Sequence, residues 1–144
     1  MSTIIEFGLS HVFQPDSDPV DNAQVLNLLL ESLVAIDRAY LRRHTAPALY
    51  QSGVTYGRTL IWESIPDALL RGKADCKTLS AWKIAEDRQK GIKVEPAFRW
   101  ITNSQGQRDY HILLEYKDHW EDPSKKLGME QYHALMRQRA SREY

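Results

Sequence analysis

The chain has a single cysteine. One thiol cannot build an intramolecular disulfide framework, and it cannot supply a multi-cysteine zinc site. There is no surplus of either charge, with Lys plus Arg and Asp plus Glu at 19 each. A dedicated nucleic-acid binder normally carries a basic excess, so no nucleic-acid partner is expected. Long apolar runs are also missing. The greasiest stretch, residues 25–36, is interrupted by Asn27, Glu31 and Ser32 and is too short to span a bilayer. Residues 1–13 lack a basic n-region, and Glu6, Ser10 and His11 break up their apolar positions, so they do not read as a signal peptide. These absences point to a cytoplasmic protein with no membrane partner. One thiol is consistent with a reducing compartment.

What is present fits an ordinary globular chain. Hydrophobic residues make up 42% and charged residues 26% of 144 positions, enough for one domain, 1–144, around one sizeable core. Ile5, Phe7, Leu9 and Phe13 recur at period two, so residues 3–13 read as a strand. A polar turn follows, then a long helix over about 20–44 with Asp18 or Asp21 as its cap. Its apolar stripe reads as Val25, Leu28, Leu29, Ser32, Leu33, Ile36 and Tyr40. Ser64-Ile65-Pro66-Asp67 resembles a capping box for a short helix that ends at Gly72. A third helix starts near Asp75, with Leu79, Trp82 and Ala85–Glu86 setting its spacing. Residues 94–101 and 110–116 form a hairpin across the polar turn 102–109. Trp120 to Pro123 begins a third strand or its exit turn, and residues 129–142 form a terminal helix with Met129, Tyr132 and Met136 on one stripe.

The chemistry concentrates on the cysteine. Cys76 stands where a loop turns into a helix, in Gly72-Lys73-Ala74-Asp75-Cys76. His111 follows inside a strand-like run, and Asp122 follows in Trp120-Glu121-Asp122-Pro123. Cysteine, histidine and a carboxylate are the minimum set for a thiol nucleophile, its base and the group that orients the base. A thiol attacks only as thiolate, and a free cysteine titrates near pH ~8.5. A helix N-terminus and a nearby imidazolium both favour the anion. Asp75 serves as the N-cap, with its side chain turned to the backbone. Period two places His111 and Leu113 on one face of their strand, and a helix packed on that face brings the sulfur within reach. Asp122 then accepts the Nδ1–H of His111 and fixes its tautomer, with Trp120 shielding the bond from water. The Cys76 backbone N–H supplies one oxyanion donor. The second comes from Trp62, Gln51 or Tyr56, with Trp62 ranked first because the short helix folds it back toward Cys76. The plain alternative is a small buried thiol, a satisfied core histidine and a turn aspartate. His11, His44, His119 and His133 are scattered, and no paired ligand spacing supports a metal; no cofactor is expected.

The run from Trp62 to Cys76, with Tyr110-His111 in a strand and Trp120-Glu121-Asp122-Pro123 after it, resembles the transglutaminase-like superfamily. The similarity spans residues 62–123, less than half the chain. It is similar to short bacterial and bacteriophage-borne members, the transglutaminase-like cysteine proteases. The resemblance implies a papain-like α+β fold, with helices packed on a small antiparallel sheet and the nucleophile at a helix N-terminus. It implies Cys76 as nucleophile, His111 as base and then acid, and Asp122 as the orienting residue. Small members commonly have a glycine before Asp-Cys and an acidic pair after it. Here Ala74 and Lys77-Thr78 stand in those places. The lysine either helps to stabilise a thiolate or marks an altered substrate site.

Two functions follow. The first is a cysteine-dependent hydrolase acting on a peptide or protein amide through a thioester. Hydrolysis is favoured over transfer to an amine because no acidic calcium loop is visible. The second is a non-catalytic structural or assembly protein on the same fold, for instance with a virion partner inside a phage particle. In that case the long first helix, four Trp and seven Tyr supply contact surface.

Overall fold

The computed structural model describes residues 16–142, so the strand expected over residues 3–13 lies outside it, as does His11. Helix α1 (Pro19–Arg43) opens the described chain. Asp18 caps it by accepting the Val20 N–H at 2.7 Å, and Pro19 sits at the first helical position, where a missing N–H costs nothing. Leu30, Leu33, Val34 and Asp37 form its buried stripe. This corrects the expected stripe, since Leu28 is 69% and Ile36 49% exposed. Leu28-Leu29-Leu30 offers apolar side chains in several directions, so periodicity leaves the helix phase open. Packing against a second helix settles it.

A 3-10 turn (Leu49–Gln51) leads to the two-residue strand β1 (Thr55–Tyr56). Helix α2 (Ile65–Arg71) follows and ends at Gly72, whose φ of 77° is the left-handed conformation that glycine adopts without a Cβ clash. Ser64 occupies its N-cap position, but its hydroxyl bonds to Asp67 rather than to the helix backbone. The buried Asp37 of α1 takes over, accepting the Ile65 N–H at 2.9 Å. Strand β2 (Lys73–Ala74) pairs parallel with β1, Tyr56 opposite Ala74. This pair was not foreseen, because two residues carry no readable period.

Helix α3 (Cys76–Gln89) is the axis of the fold. It is buried on almost every side and feeds two apolar clusters, through Ala81, Ile84 and Ala85 to one and Leu79 and Trp82 to the other. Trp82 is fully buried, and truncating it to alanine costs about 3–5 kcal/mol. The sheet is antiparallel in the order β3 (Glu95–Thr102), β4 (Arg108–Glu115), β5 (Trp120–Glu121), so β4 is the central strand, as expected. Ile112 and Leu114 join the first cluster with residues of α1 and α3. A four-residue helix α4 (Pro123–Lys126) and the terminal α5 (Met129–Arg142) complete the chain. Met129 and Tyr132 pack against the second cluster. The architecture is mixed α+β, with a small antiparallel sheet and one parallel pair. Among the described residues, no helix is long and apolar enough to cross a membrane.

Candidate active site

Cys76 is the first residue of α3 and is half buried. The first N–H groups of a helix have no intrahelical acceptor, so the Cys76 backbone N–H is free of the helix ladder. Asp75 occupies the N-cap position, but its side chain makes no cap bond. This corrects the expectation that it turns to the backbone: its carboxylate pairs with Lys77 instead. The Lys77 ammonium also donates to the Thr59 carbonyl at 2.7 Å.

His111 lies in mid-β4, opposite Arg99 in the register. The helix does not pack on the His111 face as expected. Ile112 and Leu114, on the alternate face, carry the core contact, and His111 is half buried. His111 and Cys76 both line one cleft of about 380 Å³.

Asp122 follows β5 directly and performs two tasks. Its Oδ1 accepts the Lys125 N–H at 3.1 Å and caps α4, while Oδ2 meets His111 Nε2 at 2.8 Å. The ring nitrogen used is therefore Nε2, not the expected Nδ1. An aspartate fixed as a helix cap approaches the ring from the side its turn dictates. The Asp122-Pro123 pair is an N-cap followed by proline at the first helical position, a signal that marks α4 in hindsight.

The electrostatics couple the three groups. The hydrogen bond to Asp122 and then that to Cys76 push the His111 pKa up from 6.5 to about 10 against the opposing effect of burial. Burial raises the Asp122 carboxyl, but bonds from His111 and the Lys125 N–H outweigh it and hold the group below its usual value. Both interactions favour the protonated ring of His111, which is bonded to Asp122 and shares the cleft with Cys76.

Trp62 lines the cleft as expected, packed against the first core cluster, with the Lys77 ammonium 5.9 Å from its ring centroid. The bond from the Glu63 N–H to Thr78 Oγ1, 3.2 Å, ties its neighbour to α3. Tyr56 also lines the cleft, delivered there by the β1–β2 pair. Burial, then the charges of Cys76 and Asp75, push its phenol up to about 12, so it remains a donor. Gln51 is exposed and not part of the cleft wall. Trp120 is 48% exposed, and its ring faces the Arg99 guanidinium at 5.3 Å. A ring that open is a poor shield for the His111–Asp122 bond.

Sequence reasoning missed several lining residues: Arg58, Phe98, Trp100 and His133. His133 was grouped with the scattered histidines, yet it meets Tyr56 edge-on with centroids 5.7 Å apart. The stripe of α5 pointed at that face of the helix, but not at what lay across from it. His119 pairs with Asp118 on the surface, and His44 stacks on Tyr40.

No protein-family model, curated protein or solved structure matches this chain.

Proposed function

We propose that this chain is a cysteine-dependent amide or peptide hydrolase with a papain-like, transglutaminase-like arrangement of Cys76, His111 and Asp122. The observation that carries the reading is the His111 ring, held by Asp122 through Nε2 at 2.8 Å, lining the same open cleft as Cys76. The Cys76 thiolate attacks the amide carbon of a peptide or protein substrate. The oxyanion that forms is received by the Cys76 N–H, with the Trp62 indole and the Tyr56 hydroxyl as the further donors. His111 then gives its proton to the departing amine as the C–N bond breaks, leaving a thioester. Water, deprotonated by His111, attacks that thioester, the C–S bond breaks, and the thiolate returns with the acid product.

A second reading, a non-catalytic assembly protein in a phage particle, is supported by one surface feature. Leu60 on the cleft wall is 93% exposed, and Leu70 and Ile61, which line a second pocket that shares Trp62 with the cleft, are 91% and 56% exposed. Clustered bare apolar side chains mark partner surfaces more often than single ones do.

Alkylation by iodoacetamide as a function of pH separates the two. The enzyme reading expects Cys76 of the folded protein to react below the pH at which a free thiol does, and expects His111→Ala to slow it by about 100-fold or more. A thiol that stays silent until the protein is denatured would sink the hydrolase and leave the assembly role.

A further inference from the structure

Lys77 follows the sulfur-bearing residue, and its ammonium makes two bonds. It pairs with the Asp75 carboxylate and donates to the Thr59 carbonyl at 2.7 Å. Its side chain is 12% and that of Asp75 9% exposed, so neither charge is well screened by water. The remaining oxygen, Asp75 Oδ1, is buried with no hydrogen-bond partner. Thr59 opens the segment 59–62, whose Leu60 and Trp62 line the cleft beside Cys76, and the ammonium also lies 5.9 Å from the Trp62 ring centroid. One cation therefore bridges the residue before the sulfur and the rim of the cleft.

The charge arithmetic gives this bridge a consequence. A buried carboxylate beside a sulfur that must become an anion repels it, and at low effective dielectric such a charge is worth about tenfold or more in thiolate reactivity. An ammonium paired to that carboxylate removes the repulsion. The Lys77 ammonium bonds to Thr59 and Asp75 rather than to Cys76, so the effect runs through Asp75 and the rim.

Resting on the reading of Cys76 as nucleophile, we propose that Lys77 is a positioning residue of this site. It cancels the Asp75 charge next to the sulfur and holds the 59–62 rim against the first turn of α3. The lysine thus makes a buried aspartate compatible with a neighbouring thiolate.

The test compares alkylation of Cys76 by neutral iodoacetamide and by anionic iodoacetate at mildly acidic pH, with circular dichroism to establish that each variant is folded. Lys77→Met should slow iodoacetamide about tenfold and iodoacetate more, lowering the ratio of the two rates. Lys77→Arg keeps the charge and should retain most of the wild-type rate. The double variant Lys77→Met with Asp75→Asn should recover the iodoacetamide rate. Asp75→Asn alone leaves the ammonium uncompensated and should raise the iodoacetate to iodoacetamide ratio, which tests the charge effect even if Lys77→Met fails to fold. Equal slowing of both reagents in Lys77→Met, with no recovery in the double variant and no change of ratio in Asp75→Asn, overturns the proposal. If wild-type Cys76 reacts and His111→Ala abolishes this while those ratios stay fixed, Lys77 alone is wrong. A wild-type thiol that is inert until denaturation removes the nucleophile and Lys77's role with it.

Discussion

The two ends of α3 are built on opposite terms. At the C-terminal end the charges close on one another. Arg88 pairs with Glu31 at 2.7 Å and donates to the Val94 carbonyl at 2.9 Å. Lys83 lies 3.4 Å from Glu86 and 3.1 Å from Asp87, and Tyr116 at the exit of β4 donates to that same Asp87. Glu86 accepts the Leu49 N–H at 3.0 Å, which ties down the 3-10 turn. At the N-terminal end, Asp75 Oδ1 and the Tyr110 hydroxyl are buried without partners, and the cleft lies open over Cys76. A satisfied network fixes the hairpin against the helix, and an unsatisfied one leaves groups to work on a ligand. Because β4 is anchored at Tyr116, His111 earlier in the same strand is held at the other end of the helix.

The sharpest way to break this contrast is Asp87→Ala. It removes the partner of both Lys83 and Tyr116 and should lower stability by about 3 kcal/mol in urea unfolding. Below the unfolding midpoint, Cys76 alkylation should stay within a few-fold of wild type. A large loss of alkylation without loss of stability would show that the two ends are not separate in function.

Asp37 gives an effect of comparable size. Burial pushes its carboxyl up from 3.8 to about 7, even though it accepts the Ile65 N–H. A raised acid stabilises the fold fully below 3.8 and loses that contribution as pH rises through about 7. Stability should therefore fall by an amount on the order of 4 kcal/mol across that window, and Asp37→Asn should flatten the slope. Thermal melts at a series of pH values measure it, and an unchanged slope in the variant would exclude Asp37 as its source.

Asp122 separates its two tasks under substitution. Asp122→Ala loses the α4 cap and should cost about 1 kcal/mol, whereas Asp122→Asn keeps a capping side chain and should cost little. Both should slow alkylation of Cys76, because both remove the charge that holds His111 cationic. Equal stability losses in the two variants would show that the cap is not what Asp122 contributes.

His111 gives the smallest stability effect, since water screens a half-buried pair. Its raised pKa stabilises the fold fully below 6.5 and is lost as pH rises through about 10. Asp122 works with the opposite sign: its depressed pKa contributes above 3.8 and is lost as pH falls below that value. The pair is thus most effective between 3.8 and 6.5, and the difference in melting temperature between wild type and His111→Ala should be greatest there. A difference that grows toward alkaline pH would reverse the assignment.

Much of the chain could be read from local signals. Asp18, one of the two expected caps, starts α1, Gly72 ends α2, and the polar turn at Asn103 and Gly106 separates β3 from β4, as expected. The bond between His111 and Asp122 was anticipated from residue type and order, though on the wrong ring nitrogen. The buried stripe of α1, the β1–β2 pair, the α4 turn and the presence of His133 in the cleft were not anticipated.

By itself the sequence determined where the longer helices and the β3–β4 hairpin begin and end, to within about two residues, because caps, turn residues and periodicity act within a few positions. It also determined which residue types were available for thiol chemistry. Only the tertiary structure decided which nitrogen of His111 meets Asp122, that Lys77 pairs with Asp75 and Thr59 beside the sulfur, and that Tyr56 and Trp62 wall the same cleft. Those outcomes depend on how α3 packs against chain segments distant in sequence, and packing is a property of the whole core rather than of any local run.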